Sequence, residues 1–419
     1  MNANLKTFEN KTKLTTSINY INFCSALLLT ATSIYYYPAQ KVAFVLFFSS
    51  YLAEVVVEKK WRNIHHDKNS IYFFIMALFC LLALFYFPFE HSSKYFSKLI
   101  AKRLPILGFA IIGLFGVNNK FKLNYFLNTF IISSVVAIVY LLFIRIGITE
   151  FITNPLREDA FTKARSLYAN SHMEFNFYLN VSLIGIWYIL TQSWNMTTWW
   201  KRVLYIGALA LIFGILSISE GRSGFVASIL LMLSFIFLEI WKRKKSIGLV
   251  IGILTPFLLI SIVSHQRRMS KESLKAEPRI FLWESALFVI KEKPTFGYGI
   301  SDAQEHFDIA RTKFQTDEYR ENWKAHKLLD SHSQYLQTTM EHGIIGLIIL
   351  LFLYIYPIFL ADKNRKLFSF LLLFLCAYQS TFDMFITGKF SAIFCILVIL
   401  ILLVENNIAL QEPEERIGN

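Results

Sequence analysis

The chain has 419 residues, 55% of them hydrophobic and only 17% charged, against about 25% charged in an average soluble domain. With a mean hydropathy of +0.46 and 41 phenylalanines, this excludes a disordered chain and argues against a soluble globular enzyme. Forty-two Lys and Arg against 29 Asp and Glu leave a net charge of +13, so the first question is on which side of a membrane the charges lie, not which nucleic acid they bind.

Apolar runs near the roughly 20-residue length that spans a bilayer fall at 17–37, 40–57, 70–88, 99–117, 125–147, 173–192, 203–219, 223–241, 247–264, 343–361, 367–386 and 388–404. They predict an all-α polytopic membrane protein with about 12 transmembrane helices. The run at 99–117 is interrupted by Lys102, Arg103 and Pro105. Residues 1–264 hold nine spans and a short outer loop near 148–172. Residues 265–342 form a helical loop domain, and 343–419 hold three spans and a tail. Every second short loop is basic, as in Lys59, Lys60, Arg62 and Lys68, or Lys242, Arg243, Lys244 and Lys245. The positive-inside rule puts those loops and both termini in the cytoplasm, and the loops at 148–172 and 265–342 outside.

The long outer loop has its own helical signals. In 279–292, Ile280, Trp283, Leu287 and Ile290 recur at helical spacing until Pro294 stops the run, which suggests a helix lying on the outer bilayer interface. A second helix is expected over 301–315 with Ser301 or Asp302 as N-cap, and a third from Asp330-Ser331 to Gly343.

Charge at the edge of a membrane is costly and is a functional hypothesis by default. Arg222 lies in the polar break Ser219-Glu220-Gly221-Arg222-Ser223-Gly224. Its planar fork suits phosphate oxygens, and the flanking glycines would admit a bulky anion. An ordinary loop arginine paired with Glu220 fits the local sequence equally well. Arg279 opens the 279–292 helix, where a helix N-terminus attracts anions, or else it is a solvated interfacial arginine. His332, in Asp330-Ser331-His332-Ser333-Gln334-Tyr335, stands where a helix begins. The helix dipole disfavours imidazolium there, while Asp330 pushes the other way and could fix the tautomer. Asp383 and Lys389 flank the last outer turn and could pair, and Glu174 and Asn176 would lie near the outer surface. No metal-ligand spacing occurs in the outer loops, and Gly297-Tyr298-Gly299 is too short for a nucleotide loop.

Three pieces occur in order: Ser219 to Gly224; Arg279-xxx-Trp283-xx-Ala286 continuing to Pro294-xx-Gly297-x-Gly299; and His332-xx-Tyr335-Leu336-xxxx-Glu341-x-Gly343-xx-Gly346 leading into a span. Together they resemble the O-antigen ligase and polymerase superfamily of bacterial envelope glycosyltransferases. Ser333 departs from the asparagine usual after the histidine. The resemblance implies a GT-C-type fold in the bacterial inner membrane and an undecaprenyl-diphosphate-linked glycan donor. It also implies metal-independent, inverting transfer at the periplasmic face, without cofactor, to a lipid A-core or other glycan acceptor. Arg222 and Arg279 would hold the diphosphate and His332 would act on the acceptor hydroxyl, with Asp330, Glu220, Tyr335, Trp283 and Asp383 as supporting candidates. A ligase is the leading expectation. A polymerase, then a protein O-oligosaccharyltransferase, use the same donor. A secondary transporter would show internal repeats and mid-membrane charges, and this sequence shows neither.

Overall fold

The computed structural model describes residues 2–35, 37–62, 67–86, 88, 94–147, 172–192, 197–219, 222–245, 279–314, 330–388 and 390–404. These form α1 (Asn2–Thr32), α2 (Tyr37–Glu58), α3 (Lys68–Tyr86), α4 (Phe96–Ala101), α5 (Leu104–Phe115), α6 (Leu123–Tyr140), α7 (His172–Gln192), α8 (Trp199–Ile218), α9 (Arg222–Arg243), α10 (Arg279–Glu292), α11 (Ile300–Phe314), α12 (Gln334–Leu360), α13 (Lys366–Phe382) and α14 (Ser391–Leu402). Among them six helices are long and apolar enough to cross a membrane: Pro38–Glu58, Lys68–Tyr86, Leu123–Ile144, Trp199–Ile218, Ser223–Trp241 and Gln334–Leu360. The protein is therefore an all-helical membrane protein over its described residues. The expected span at 247–264 and the outer loop near 148–172 (all but His172) lie outside them.

α7 is the centre of the bundle. Every residue from Phe175 to Ile189 is buried, and the helix packs against α6, α8, α9 and α13. Its polar side chains serve helix contacts. Ser182 shares a 2.8 Å hydrogen bond with Ser134 of α6, and Asn180 Nδ2 donates to the Gly224 carbonyl of α9 at 3.0 Å.

The expected span at 99–117 is two helices, α4 and α5, parted at Lys102 and Arg103. The reason is that Arg103 turns inward. It is 2% exposed, donates to the Leu99 carbonyl at 3.0 Å and pairs with the equally buried Glu341 of α12. Gln337 Nε2 donates to the other Glu341 oxygen at 3.0 Å. Removing one member of a buried pair strands the other charge, at a cost of about 3–5 kcal/mol. Glu341→Ala should accordingly lower the thermal midpoint in detergent or abolish accumulation, whereas an Arg103→Met, Glu341→Leu double variant should recover most of the loss. Equal stability of the single variant and the native chain would refute the pairing.

α12 carries a break at Gly343, whose φ is 63°, in the left-handed region that favours glycine. There the 294–299 turn docks: Ile344 N–H donates to Pro294 O at 2.9 Å, Tyr298 N–H to Met340 O at 2.9 Å and Gly299 N–H to Glu341 O at 2.8 Å. A Cβ on Gly343 would lie 2.1 Å from the Thr295 carbonyl oxygen. The spaced glycines of the second and third sequence pieces are thus two halves of one backbone joint.

α10 begins and ends where the periodicity places it, but it packs with a different face. Phe281, Leu282, Ala286 and Val289 form a core with Ala303, Phe307, Ala310 and Met340, while Ile280 and Leu287 of the expected stripe are exposed. α11 starts at Ile300, so Ser301 and Asp302 lie inside its first turn instead of capping it. Ser301 Oγ instead accepts the Tyr95 N–H at 3.1 Å and ties the turn before α4 to α11.

Candidate active site

A cavity of about 770 Å³ lies at the end of the bundle where α2, α5, α7, α10, α12 and α14 begin. Its lining includes Gln40 and Lys41, Lys102 and Pro105, His172 to Glu174, Arg279, Asp330 and His332, Asp383, and Phe390 to Ala392. Six helices begin at this lining while α4 and α13 end there, so positive helix ends outnumber negative ones around the space.

His332 is set by the cap of α12. It has φ 47°, a left-handed conformation costly for a residue with a Cβ. Local hydrogen bonds hold it. Its N–H donates to Asp330 Oδ1 at 3.1 Å, Ser331 Oγ donates to the Ser333 carbonyl at 2.9 Å, and Ser333 is the N-cap that accepts from the Leu336 N–H. The ring places Nδ1 3.6 Å from Asp330 Oδ1 and 3.9 Å from Asp383 Oδ1, within ion-pair range of both. Nδ1 thus lies between the two carboxylates, beyond hydrogen-bond distance of either.

Burial works against the imidazolium, but Asp383 and Asp330 beside the ring outweigh it, against a smaller opposing push from Arg279. His332 is held above the ordinary histidine range. Asp330 is itself raised, by burial first and then by Asp383, with His332 and Lys102 pulling it down.

Asp383 sits after α13, and Gln334 fixes its turn. The Gln334 N–H donates to the Asp383 carbonyl at 3.2 Å. Its fully buried Oε1 accepts from Ile386 N–H at 2.9 Å, Thr387 N–H at 3.0 Å and Thr387 Oγ1 at 3.1 Å. One side chain two residues past His332 thus locks the second carboxylate in place. Asp383→Asn removes a charge that stabilises imidazolium, so His332 should lose its proton at lower pH. The acid limb of the transfer rate should then move to lower pH, and Gln334→Leu should move it the same way by loosening the turn. An unmoved limb in Asp383→Asn would separate this carboxylate from His332.

Arg279 is the first residue of α10 and lines the cavity, with Nη2 3.3 Å from the Met173 sulfur of α7. Arg222 is the first residue of α9, and its side chain, like Glu220 and Lys389, lies outside the described residues. Its helix packs closely on α7 at Gly224, where an added Cβ would come within 2.4 Å of the Asn176 Cβ. Asn176 is buried and accepts from Ser219 Oγ at 2.9 Å, so it holds the polar break and does not face the cavity. Tyr335 and Trp283 are not in the lining. Tyr335 donates to the Ala377 carbonyl at 2.8 Å and Trp283 packs 6.4 Å from Phe382, so both fasten neighbours to α13. Lys41, Lys102, His172 and Gln334 were not expected at the site. Lys102 alone left a trace in the sequence, as a charge interrupting an apolar run.

The Arg279 and His332 pieces read from the sequence thus meet at the cavity, and known proteins carry a similar region. Residues 207–351 match the O-antigen ligase family. Curated relatives agree. A Rickettsia conorii protein provisionally named a polysaccharide ligase is 32% identical over 180 residues, 40% of this chain and 42% of the relative. A Rickettsia typhi protein of the same provisional name is 29% identical over 197 residues, 45% and 46%. An uncharacterized Haemophilus influenzae protein is 27% identical over 205 residues, 44% and 50%. The matches span half or less of the length of these relatives.

Proposed function

We propose that the protein is a GT-C-type glycosyltransferase of the O-antigen ligase kind. It would transfer a glycan from undecaprenyl diphosphate to a lipid A-core acceptor at the periplasmic face of the bacterial inner membrane. The observation that carries this reading is the cavity itself, where Arg279 and a cluster of helix starts stand beside a histidine flanked by two carboxylates.

The acceptor hydroxyl is a weak nucleophile and needs a base within reach. His332 Nε2 takes its proton as the hydroxyl oxygen bonds to the anomeric carbon, and Asp330 and Asp383 stabilise the imidazolium that forms. The bond from that carbon to the diphosphate oxygen breaks, and the electron pair leaves with the lipid diphosphate. Arg279, Arg222 and the helix N-termini balance that charge, which lowers the barrier where it develops. One displacement inverts the anomeric centre.

A polymerase would run the same step on a lipid-linked oligosaccharide acceptor. Deleting the gene and resolving envelope glycans on a gel distinguishes them. A ligase deletion leaves bare core with long lipid-linked polymer accumulating. Core bearing a single repeat unit would replace the ligase reading with the polymerase one, and an unchanged profile would defeat both.

A further inference from the structure

Resting on that transfer reaction, we propose that the notch between α2 and α5, headed by Lys41 and Lys102, seats a phosphate on the lipid that carries the acceptor glycan. Arg279 belongs to the donor side.

Lys41 lies in the first turn of α2 and Lys102 between α4 and α5, and both line the cavity together with Phe44, Val45 and Pro105. Below them the notch closes. A Cβ on Gly108 of α5 would sit 3.0 Å from the Phe48 ring of α2, and the Phe44 and Phe109 ring centroids are 5.9 Å apart. From Lys41 to Phe48 this is about two helical turns, roughly 10 Å. Its rim is apolar and open, with Val45 61% and Leu104 55% exposed. In a membrane protein such a face meets hydrocarbon. Two ammonium groups above an open apolar slot match an anionic head group above its chains, with lysine serving as a point charge for phosphate.

The cations stand on different elements. Arg279 stands on α10 beside α7, and the lysines stand on α2 and between α4 and α5. A single displacement needs the nucleophile opposite the leaving diphosphate, so two lipid-borne substrates must enter along different walls. The lysine wall has a lateral opening of its own, at Val45 and Leu104.

The test uses the full-length protein in liposomes with a purified lipid-linked donor and two glycolipid acceptors, one bearing its lipid phosphate and one dephosphorylated. The native protein should favour the phosphorylated acceptor at least ~10-fold in kcat/KM, about 1.4 kcal/mol. Lys41→Ala with Lys102→Ala should erase that preference by raising KM for the phosphorylated acceptor, while the donor KM stays within about twofold and so reports a folded enzyme. A double variant that fails to fold is replaced by Lys41→Gln with Lys102→Gln, read in the same way. Equal use of both acceptors by the native protein, or a change in donor KM alone, overturns the lysine seat. Transfer that survives His332→Ala would instead overturn the underlying reaction, so the two failures are distinguishable.

Discussion

His332→Ala should lower glycan transfer by about 10²- to 10⁴-fold, the usual contribution of a positioned general base, while the protein stays folded and inserted. The loss should fall on kcat, because the imidazole acts on a proton in flight and contributes little to holding either glycan. The backbone at this position is left-handed, with φ 47°, so alanine adds strain of its own. Asparagine tolerates that region better, which makes His332→Asn the cleaner variant: it keeps the turn and removes the base. Comparable losses in both variants, with thermal midpoints near the native value for the asparagine one, identify chemistry as the cause. Transfer within about threefold of native by His332→Asn would remove His332 from the reaction.

The sequence discloses charge and punctuation more readily than it discloses partners. The start of α10 at Arg279 and its end before Pro294 were legible because a proline and an apolar period bound them. The break at Gly343 was legible as the end of one expected helix and the start of a span, and it is the one non-helical residue within α12. Which face of α10 packs was not legible, because both faces are apolar and only the neighbours α11 and α12 decide between them. The run at 99–117 misled for a related reason. Hydropathy penalises Lys102 and Arg103, yet cannot say that Arg103 has a buried acid waiting 238 residues later at Glu341. At the site, His332 and Arg279 stood out as single residues at helix starts. Asp383 was visible as a partner for Lys389 or a support for the site, and the structure brings it within 3.9 Å of His332 Nδ1. Gln334 gave no signal at all, since an amide beside a helix start reads as ordinary until its partners Asp383, Ile386 and Thr387 are known.

The second large effect is expected at Arg279. Arg279→Met should cost about 10²- to 10³-fold in kcat, the range for losing one group that stabilises developing negative charge. Arg279→Lys should lose less, because it keeps the charge and gives up the fork. A purely packing role, based on the contact with Met173 at 3.3 Å, predicts the reverse order, since methionine fills an apolar site better than lysine does. The pH profile supplies an independent sign. Arg279 is one of the groups that lower the proton affinity of His332, while Asp383 raises it. Removing the guanidinium should therefore leave His332 protonated to higher pH and move the acid limb of the rate upward. Asp383→Asn should move it downward. Opposite displacements from the two variants would place both groups on one imidazole in the working enzyme, and a limb unmoved in Arg279→Met would place the guanidinium out of electrical contact with the base.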